Sequence, residues 1–520
     1  MEYERIKYPI GEQDFANIRE ENKVYIDKTG YIYQLLQGPK YNFLARPRRF
    51  GKSLLLSTIK YFFEGRKDLF QGLQINNLQN EWKPHPVFHL SWELFNPHDP
   101  HSIDNVLEVT IGNWEKVWNI SNSNLNYAGR LVNLIQHSVK ITGRKAVFLV
   151  DEYDSPLLAT LFDEDYHTRI KSTLRSIYSI IKNQDEFLRF GMLTGVARFS
   201  KMEFFSGLNN INDITLLPKY SAICGVTENE LKTVLLTSVD ILGQKLGKDR
   251  ENVFLLLKNK YDGYHFSENS EDIYNPYSLL NTFENNRLSN YWFASGTPGF
   301  LIERIYENLD EIETIMNSEV SEVTLSETDT AYTSPIALLF QAGYLTIKEF
   351  DPQYNEYKLG IPNQEVSEGF YRDLMARCLD RKKELTDSIL ISISKSLRNG
   401  DPEGFIKQLQ RFFGDISYEI SGRFPESYYQ SYVYILCQMI GIYAEVERRI
   451  SSGRIDLLIR NSNYVYIVEF KVDVPAEDAL RQINDKDYAI PWSGGNRKVF
   501  KIGISFSSVK RNIENYIIEE

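Results

Sequence analysis

At 520 residues, with 42% hydrophobic and 25% charged residues, the chain has an ordinary globular composition but too much length for one core, so roughly two to four domains are expected. Its net charge of −11 argues against a cation-coated surface for nonspecific nucleic-acid binding, while a local basic groove stays compatible with it. The three cysteines, Cys224, Cys378 and Cys437, form no Cys-x-x-Cys pair, which excludes a cysteine zinc cluster and points to a reducing compartment.

The N-terminus, Met1-Glu-Tyr-Glu-Arg5, lacks the apolar core of a signal peptide. The longest apolar-looking stretch, Ile336 to Ile347, is interrupted by Gln341 and too short to span a bilayer. A cytoplasmic protein with no membrane partner is expected.

Pro9 to Phe15 and Tyr25-Ile-Asp-Lys-Thr29 read as a leading segment followed by a capped helix starting near Thr29. In a nucleotide-binding domain such a segment can cover the adenine, with Phe15 and Ile18 as candidates, or simply pack into the core. Phe43 to Ala45 is a short buried strand, and Leu54 to Phe63 has the apolar density of a helix. Between them, Arg46-Pro-Arg-Arg-Phe-Gly-Lys-Ser53 keeps the spacing of a phosphate-binding loop, with Arg46 in place of the first glycine. Backbone N–H groups at Gly51, with Arg48 and Arg49, would cradle a polyphosphate at the helix N-terminus. Lys52 would reach the β/γ-phosphates, and the Ser53 hydroxyl would ligate Mg²⁺. Pro47 and the arginines make this loop stiffer and more cationic than a glycine-rich one. A Gly-Lys-Ser triplet alone is also compatible with a plain helix start capped by Ser53.

Val87 to Leu90 is a further strand, and 102–142 reads as helices around the polar loop Ser121 to Asn124. Lys145 to Asp151 is a continuous apolar run ending in Asp151 and Glu152, the layout of a buried parallel strand. Beside a phosphate loop, Asp151 would hold Mg²⁺ through its waters, and Glu152 would orient the attacking water. Phe187 to Leu193 ends in Thr194 and Gly195, followed by Arg198. Thr194 would sense the γ-phosphate. Arg198 either stabilises transition-state charge or is a plain surface arginine. Strands alternating with helices to about residue 225 indicate a three-layer α/β domain with a mostly parallel sheet.

From the capping-type Thr227-x-x-Glu230 the pattern turns helical. Aromatic turns follow at Tyr261 to Phe266 and Tyr274 to Tyr277. The stretch 334–363 reads as a helix with a hairpin, either a winged-helix unit or a lid and connector. All seven histidines lie at or before His265, so chemistry in the C-terminal third must use carboxylates, lysine or hydroxyls.

There, Gly453 to Ile459 and Tyr464 to Lys471 are β-type runs joined by a turn at Ser462-Asn463. A two-residue loop pairs 461 with 464 and hence 456 with 469, setting Asp456 and Glu469 side by side, with Cβ atoms about 4.5–5.5 Å apart. Lys471 falls on the same face. Two adjacent carboxylates call for a cation, and an all-oxygen site with room for water suits Mg²⁺. Apolar residues on both faces imply a covered sheet.

Asp456 and Glu469-x-Lys471, with a preceding helix and a following one carrying Gln482-Ile483, resemble the PD-(D/E)XK nuclease superfamily. The resemblance makes Asp456 and Glu469 metal ligands, Lys471 the catalytic lysine and Gln482 a supporting residue. It leaves the helix carboxylate open among Glu426, Glu445 and Glu447. The N-terminal half resembles the bacterial AAA-ATPase-like family fused to such domains. That match rests on Pro9-Ile-Gly with Asp14-Phe15, Tyr25 to Thr29, Arg46 to Ser53, Ser206 to Asn210 and Tyr261 to Tyr264; Arg46 belongs to that family's own pattern. Together they imply an α/β P-loop ATPase domain (1–225), a helical lid and connector with a winged-helix option (226–400), and an α/β nuclease-like domain (401–520). ATP and Mg²⁺ are the expected cofactors, and nucleic acid, DNA ahead of RNA, is the expected partner; self-association as a homo-oligomer stays open. The expected activity is metal-dependent phosphodiester hydrolysis under nucleotide control. The rivals are an ATP-dependent switch that grips nucleic acid without cutting, and a protein-interaction ATPase.

Overall fold

The computed structural model describes residues 6–121, 124–160, 163–197, 210–295, 299–326, 335–379, 383–414, 426–440, 445–450, 453–492 and 495–520. By packing, the chain divides into two units: Met1–Trp292 with Ser318–Asn363, and Phe293–Asn317 with Gln364–Glu520. The stretch expected as a single middle region over 226–400 is shared between them.

In the first unit, β1 (Tyr41–Ala45), β2 (Val87–Ser91), β3 (Ala146–Asp151), β4 (Leu188–Gly195) and β5 (Asn212–Asp213) form one parallel sheet. Its order is β2-β3-β4-β1-β5. Every residue of β1 and β3 is buried, which is why both read as unbroken apolar runs. Phe43, Phe88, Phe148 and Val150 share a core with Ile103, Leu134 and Leu174, from the helices Ser102–Trp118, Tyr127–Thr142 and Glu164–Tyr178. Asn126 and Asp163 cap the last two by accepting N–H bonds from Gly129 and Tyr166. The helix Lys52–Phe63 lies against β2, β3 and β4. Because β4 sits between β1 and β3, with Ala45 level with Gly195 and Val150 level with Leu193, three strand ends open side by side.

The same unit continues through β6 (Val226–Thr227) and β7 (Ile273–Tyr274), which pair antiparallel among the helices between 228 and 285. Thr227 and Glu230 form the expected capping box. The helix Pro335–Ala342 and the hairpin of β9 (Thr346–Asp351) and β10 (Glu356–Gly360) follow as read, with β8 (Glu319–Ser321) as a third strand. The Tyr261-Asp-Gly-Tyr264 turn explains why this piece belongs here. Gly263 takes φ +90° and packs so closely on the Pro362 carbonyl that a β-carbon would overlap it. The Asn363 side-chain amide donates to the Asp262 carbonyl at 2.9 Å.

In the second unit, β11 (Glu445–Ile450), β12 (Gly453–Arg460), β13 (Tyr464–Val472), β14 (Lys498–Ser507) and β15 (Asn512–Glu519) form a sheet in chain order. Only β13 and β14 run parallel, and the helix Ala476–Asp485 makes their crossover. The hairpin has the predicted register, with Leu457 opposite Val468 and Arg460 opposite Val465. Asn461 fixes the turn, its side-chain oxygen accepting N–H bonds from Asn463 and Tyr464 at 3.0 and 2.9 Å. Among the described residues, no helix is long and apolar enough to cross a membrane.

The crossover helix lies directly on Gly503, the β14 residue beside Glu469. A β-carbon there would stand 2.5 Å from the Ala476 carbonyl and 2.7 Å from the Leu480 nitrogen. Gly503→Ala is therefore expected to push the helix outward and destabilise the unit by about 1–3 kcal/mol, the usual cost of overpacking. Urea denaturation of the full chain measures this; an unchanged midpoint for the C-terminal transition would show that the helix yields freely.

Candidate active sites

The phosphate loop owes its shape to two left-handed residues, Arg49 (φ +66°) and Gly51 (φ +94°), which turn the chain from β1 into its helix. Lys52 is buried, and its ammonium donates to the carbonyls of Arg46 and Pro47, both at 3.0 Å. Burial pulls its pKa down, opposed by the carboxylates of Asp151 and Asp154. Ser53 follows, half-buried in the first helical turn. Arg48 and Arg49 are exposed, as a phosphate cradle requires.

Arg46 departs from the expected cationic loop. It is 1% exposed and donates to the carbonyls of Ala45 (2.9 Å), Thr215 (2.8 Å) and Tyr220 (3.1 Å). Its guanidinium carbon lies 4.2 Å from the centre of the Phe266 ring. Burial lowers its pKa to about 10. Arg46 is thus a structural strut, and the loop's solvent-facing charge comes from Arg48 and Arg49.

At the ends of β3 and β4, Asp151 is buried and its Oδ1 accepts from the Thr194 hydroxyl (2.7 Å) and the Glu152 N–H (3.0 Å). Thr194 is fully buried, so its hydroxyl orients Asp151 rather than standing free toward solvent. Glu152 sits at φ +53°, half-buried, with its carboxyl pushed up by burial and by Asp151. Arg198 lies outside the described residues, as do 206–209 of the Ser206 to Asn210 match. Asp154 was missed by the sequence reading. An acid immediately before the helix Ser155–Ala159 looks like an N-cap, yet its side chain makes no cap bond.

Beside Gly51 opens an apolar cleft walled by Pro9, Val24, Ile26, Phe50, Val226 and Leu280. Its polar fringe includes Lys28, which pairs with Glu230 at 2.7 Å. The leading segment does reach the phosphate loop, but through these residues. Phe15 and Ile18 are wholly buried, and Phe15 packs on Tyr25 and Phe70 with ring centres 5.1 and 4.8 Å away. Segments distant in sequence form the cleft, so no local pattern marked it.

In the second unit, the Asp456 Oδ2 accepts the Phe470 N–H at 2.8 Å, which fixes its carboxylate at the head of the hairpin. Glu469 is 2% exposed, and the Lys471 ammonium stands 3.5 Å from its Oε1. The Gln482 amide donates to that same oxygen, carried there by the crossover helix resting on Gly503. Oε2 of Glu469 is buried without a hydrogen-bond partner. Burial, reinforced by Asp456 and partly offset by Lys471, raises the Glu469 pKa to about 7. A buried, unpartnered carboxylate oxygen beside a second carboxylate is a fit for a hard divalent cation such as Mg²⁺. Among the described residues no group of three or more His, Cys, Asp or Glu is gathered for a metal, so water would complete the shell. The side chains of Glu426, Glu445 and Glu447 lie outside the described residues.

Two family descriptions match the chain: predicted AAA-ATPase over residues 9–205, and the PD-(D/E)XK nuclease superfamily over 424–516. A protein of Azotobacter chroococcum mcd 1, described as "uncharacterized protein in vnfD 5'region", is 34% identical over 524 residues, covering 99% of both chains.

Two outcomes follow from this geometry. Arg46→Gly, which restores the usual first loop residue, is expected to weaken nucleotide binding and cost about 2–4 kcal/mol of stability, because it strands buried carbonyls and leaves a void. Titration with a fluorescent ATP analogue, beside a denaturation curve, checks it; tighter binding would show that position 46 faces the phosphates. The second concerns Glu469, whose folded pKa lies above its unfolded value of 4.5. The folded state holds the extra proton, so this contribution is fully present below about pH 4.5 and is lost as pH rises through about 7, a fall of roughly 1–3 kcal/mol without metal. Mg²⁺ should remove the loss, and Glu469→Gln should flatten the metal-free profile. Denaturation at pH 5.5 and 7.5 is the measurement, and a profile that rises with pH would contradict it.

Proposed function

The chain belongs to a family that joins an AAA-ATPase-like domain to a PD-(D/E)XK nuclease-like domain, and on that premise we propose that it binds and hydrolyses ATP and cleaves DNA phosphodiester bonds under nucleotide control. The first half rests on the convergence of Lys52, Ser53, Asp151 and Glu152 at adjoining strand ends. Lys52 exchanges its loop carbonyls for the β/γ-phosphates, a change that costs little because the ammonium is already desolvated and aimed. Arg48 and Arg49 meet the outer phosphate charge. The cleft beside Gly51 takes the base, since an apolar slot suits a flat purine and leaves orientation to the phosphates. Glu152 orients the attacking water, and its raised pKa favours receipt of a proton.

The second half is carried by one observation, the buried and unpartnered Oε2 of Glu469 beside Asp456. Asp456 and Glu469 would hold Mg²⁺, with Asp456 kept in place by the Phe470 N–H. Mg²⁺ at either centre supplies Lewis acidity toward phosphate oxygens and lowers the pKa of bound water. Lys471, tethered at 3.5 Å from Glu469, positions the nucleophilic water and stabilises the phosphorane charge. Gln482 holds the Glu469 carboxylate in the orientation that frees Oε2.

The test incubates the full chain with supercoiled plasmid, single-stranded DNA and RNA, with and without Mg²⁺ and ATP, and follows nicking and phosphate release. Lys52→Ala is expected to lose most ATP affinity. Glu152→Gln should bind ATP yet turn over at least about tenfold more slowly. Asp456→Ala should lose nicking together with Mg²⁺-dependent thermal stabilisation, while Lys471→Ala should lose nicking alone. Stabilisation by Mg²⁺ without nicking of any substrate would replace the nuclease reading with nucleic-acid binding alone.

A further inference from the structure

The end of the first unit's sheet where its strands begin, opposite the phosphate loop, is tied together across three strands. The Ala146 N–H donates to the Phe187 carbonyl and the Val147 N–H to the Pro86 carbonyl, both at 2.8 Å. The His85 Nδ1 donates to the Lys145 carbonyl at 2.8 Å. On this frame stand Arg144, half-buried, and the exposed Lys145 and Arg189. Arg189 is there through a bulge. Ala146 is level with Leu188 and Val147 with Phe190, so Arg189 is the extra residue of β4. It is exposed in a strand whose other residues are all buried. A bulge interrupts the ladder of a central strand, and what this one delivers is an arginine at the surface.

None of these three cations has an ion-pair partner among the described residues. Of the acids at this end, Asp185 pairs with Lys40 at 2.8 Å and accepts the Tyr41 hydroxyl at 2.8 Å, and Glu81 pairs with Lys83 at 2.6 Å. That leaves the exposed Glu186. Burial lowers the His85 pKa, and the charges of Arg144 and Arg189 lower it further, so both guanidinium groups stand near one imidazole. The ordinary reason for cations here is the negative end of a helix, and Lys140 and Lys182 answer to it, in the last turns of Tyr127–Thr142 and Ile180–Asn183. Arg144 comes after the left-handed Gly143 that ends the first of these helices, and Lys145 and Arg189 belong to strand starts. In a chain of net charge −11, gathered and unpaired like charges are a local exception. Lying on two neighbouring strand starts, they offer a row to a polyanion rather than a cage to a single ion.

We propose that Arg144, Lys145 and Arg189 form a docking surface for the phosphate backbone of a nucleic acid, at the end of the ATPase sheet away from the nucleotide. The inference rests on the nucleic-acid reading above, but not on cleavage; the nuclease family of the other domain is what selects phosphate over carboxylate as the partner. Contacts of this kind supply affinity without sequence preference.

The experiment measures binding of a fluorescein-labelled DNA duplex to the full chain by anisotropy, in EDTA so that nothing is cut, over a series of NaCl concentrations. Each lost phosphate contact lowers the slope of log K against log salt by about 1. Arg144→Gln combined with Arg189→Gln is therefore expected to lower it by about 2 and to weaken binding about tenfold or more at low salt, equally for unrelated sequences. ATP affinity within about twofold of the parent reports that this variant is folded. Should it not fold, Lys145→Gln alone, at an exposed position, should lower the slope by about 1. Lys140→Gln combined with Lys182→Gln removes equal charge from the helix ends and should leave DNA affinity within about twofold. Parental slope and affinity in the patch variants, or an equal loss in the helix-end variant, would overturn the docking surface. Polyglutamate displacing the duplex as well as unlabelled DNA of equal charge would also overturn it, in favour of an acidic protein partner. A parent that binds neither DNA nor RNA would remove the nucleic-acid reading and this inference together. Patch-dependent binding without nicking in Mg²⁺ would remove nuclease activity and leave the docking surface standing.

Discussion

A guanidinium buried to 1% exposure and met chiefly by carbonyl oxygens is the interaction on which the nucleotide-binding half depends. Each hydrogen bond to a charged group is worth about 1.5–3 kcal/mol, so the strand end at Ala45, the segment at Thr215 and the turn at Tyr220 hold or fail together. Once Arg46 is fixed, its own carbonyl and that of Pro47 become the resting partners of Lys52. Its N–H ties the loop to Gly195 of β4. The loop is braced on its other side too. Gly343, at φ +87°, packs where a β-carbon would stand 2.7 Å from the Pro47 ring, and the Trp292 indole donates to the Arg48 carbonyl at 2.9 Å. A glycine-rich loop gains its shape from the phosphate it wraps, whereas this one is shaped by its surroundings.

The C-terminal centre is built on the opposite electrostatic principle. The carboxylates at Asp151 and Asp154 accept backbone or hydroxyl hydrogens, while Glu469 keeps one oxygen buried and unmet. Its helix support is close and its lysine near, so the geometry is set while the charge is left unbalanced. That imbalance is affordable in a covered sheet only because a proton or a cation can relieve it.

Much of this was legible in the sequence where local pattern determines structure. Unbroken apolar runs gave β1 and β3, since parallel strands covered on both faces need no alternation, and β4 was read from an apolar run despite its exposed Arg189. The two-residue turn at Ser462-Asn463 gave the β12/β13 register by counting alone, from Leu457 opposite Val468 to Arg460 opposite Val465. What escaped was decided by long-range packing. Arg46 looked like loop charge because its carbonyl partners lie about 170 residues away. Asp154 went unread because its amide partners, Val196 and Ala197, follow the end of another strand some forty residues on. The cleft beside Gly51 draws on four distant segments, around residues 9–28, 50–58, 223–226 and 276–280, and the region 226–400 divides between units because Gly263 meets Pro362 across about a hundred residues.

That last division bears on how the protein is made. The first unit closes only when Ser318–Asn363 is in hand, and the chain has by then already supplied Phe293–Asn317 to the other. On the ribosome, at roughly 5–20 residues per second, the sheet and phosphate loop emerge several seconds before the piece that covers Pro47 and Gly263. During that interval the loop's apolar flank has no lid, and an intermediate lacking residues 318–363 is the species most exposed to aggregation or to chaperone capture. Truncation between the halves would make that interval permanent, because no single cut in this chain separates one complete unit from the other.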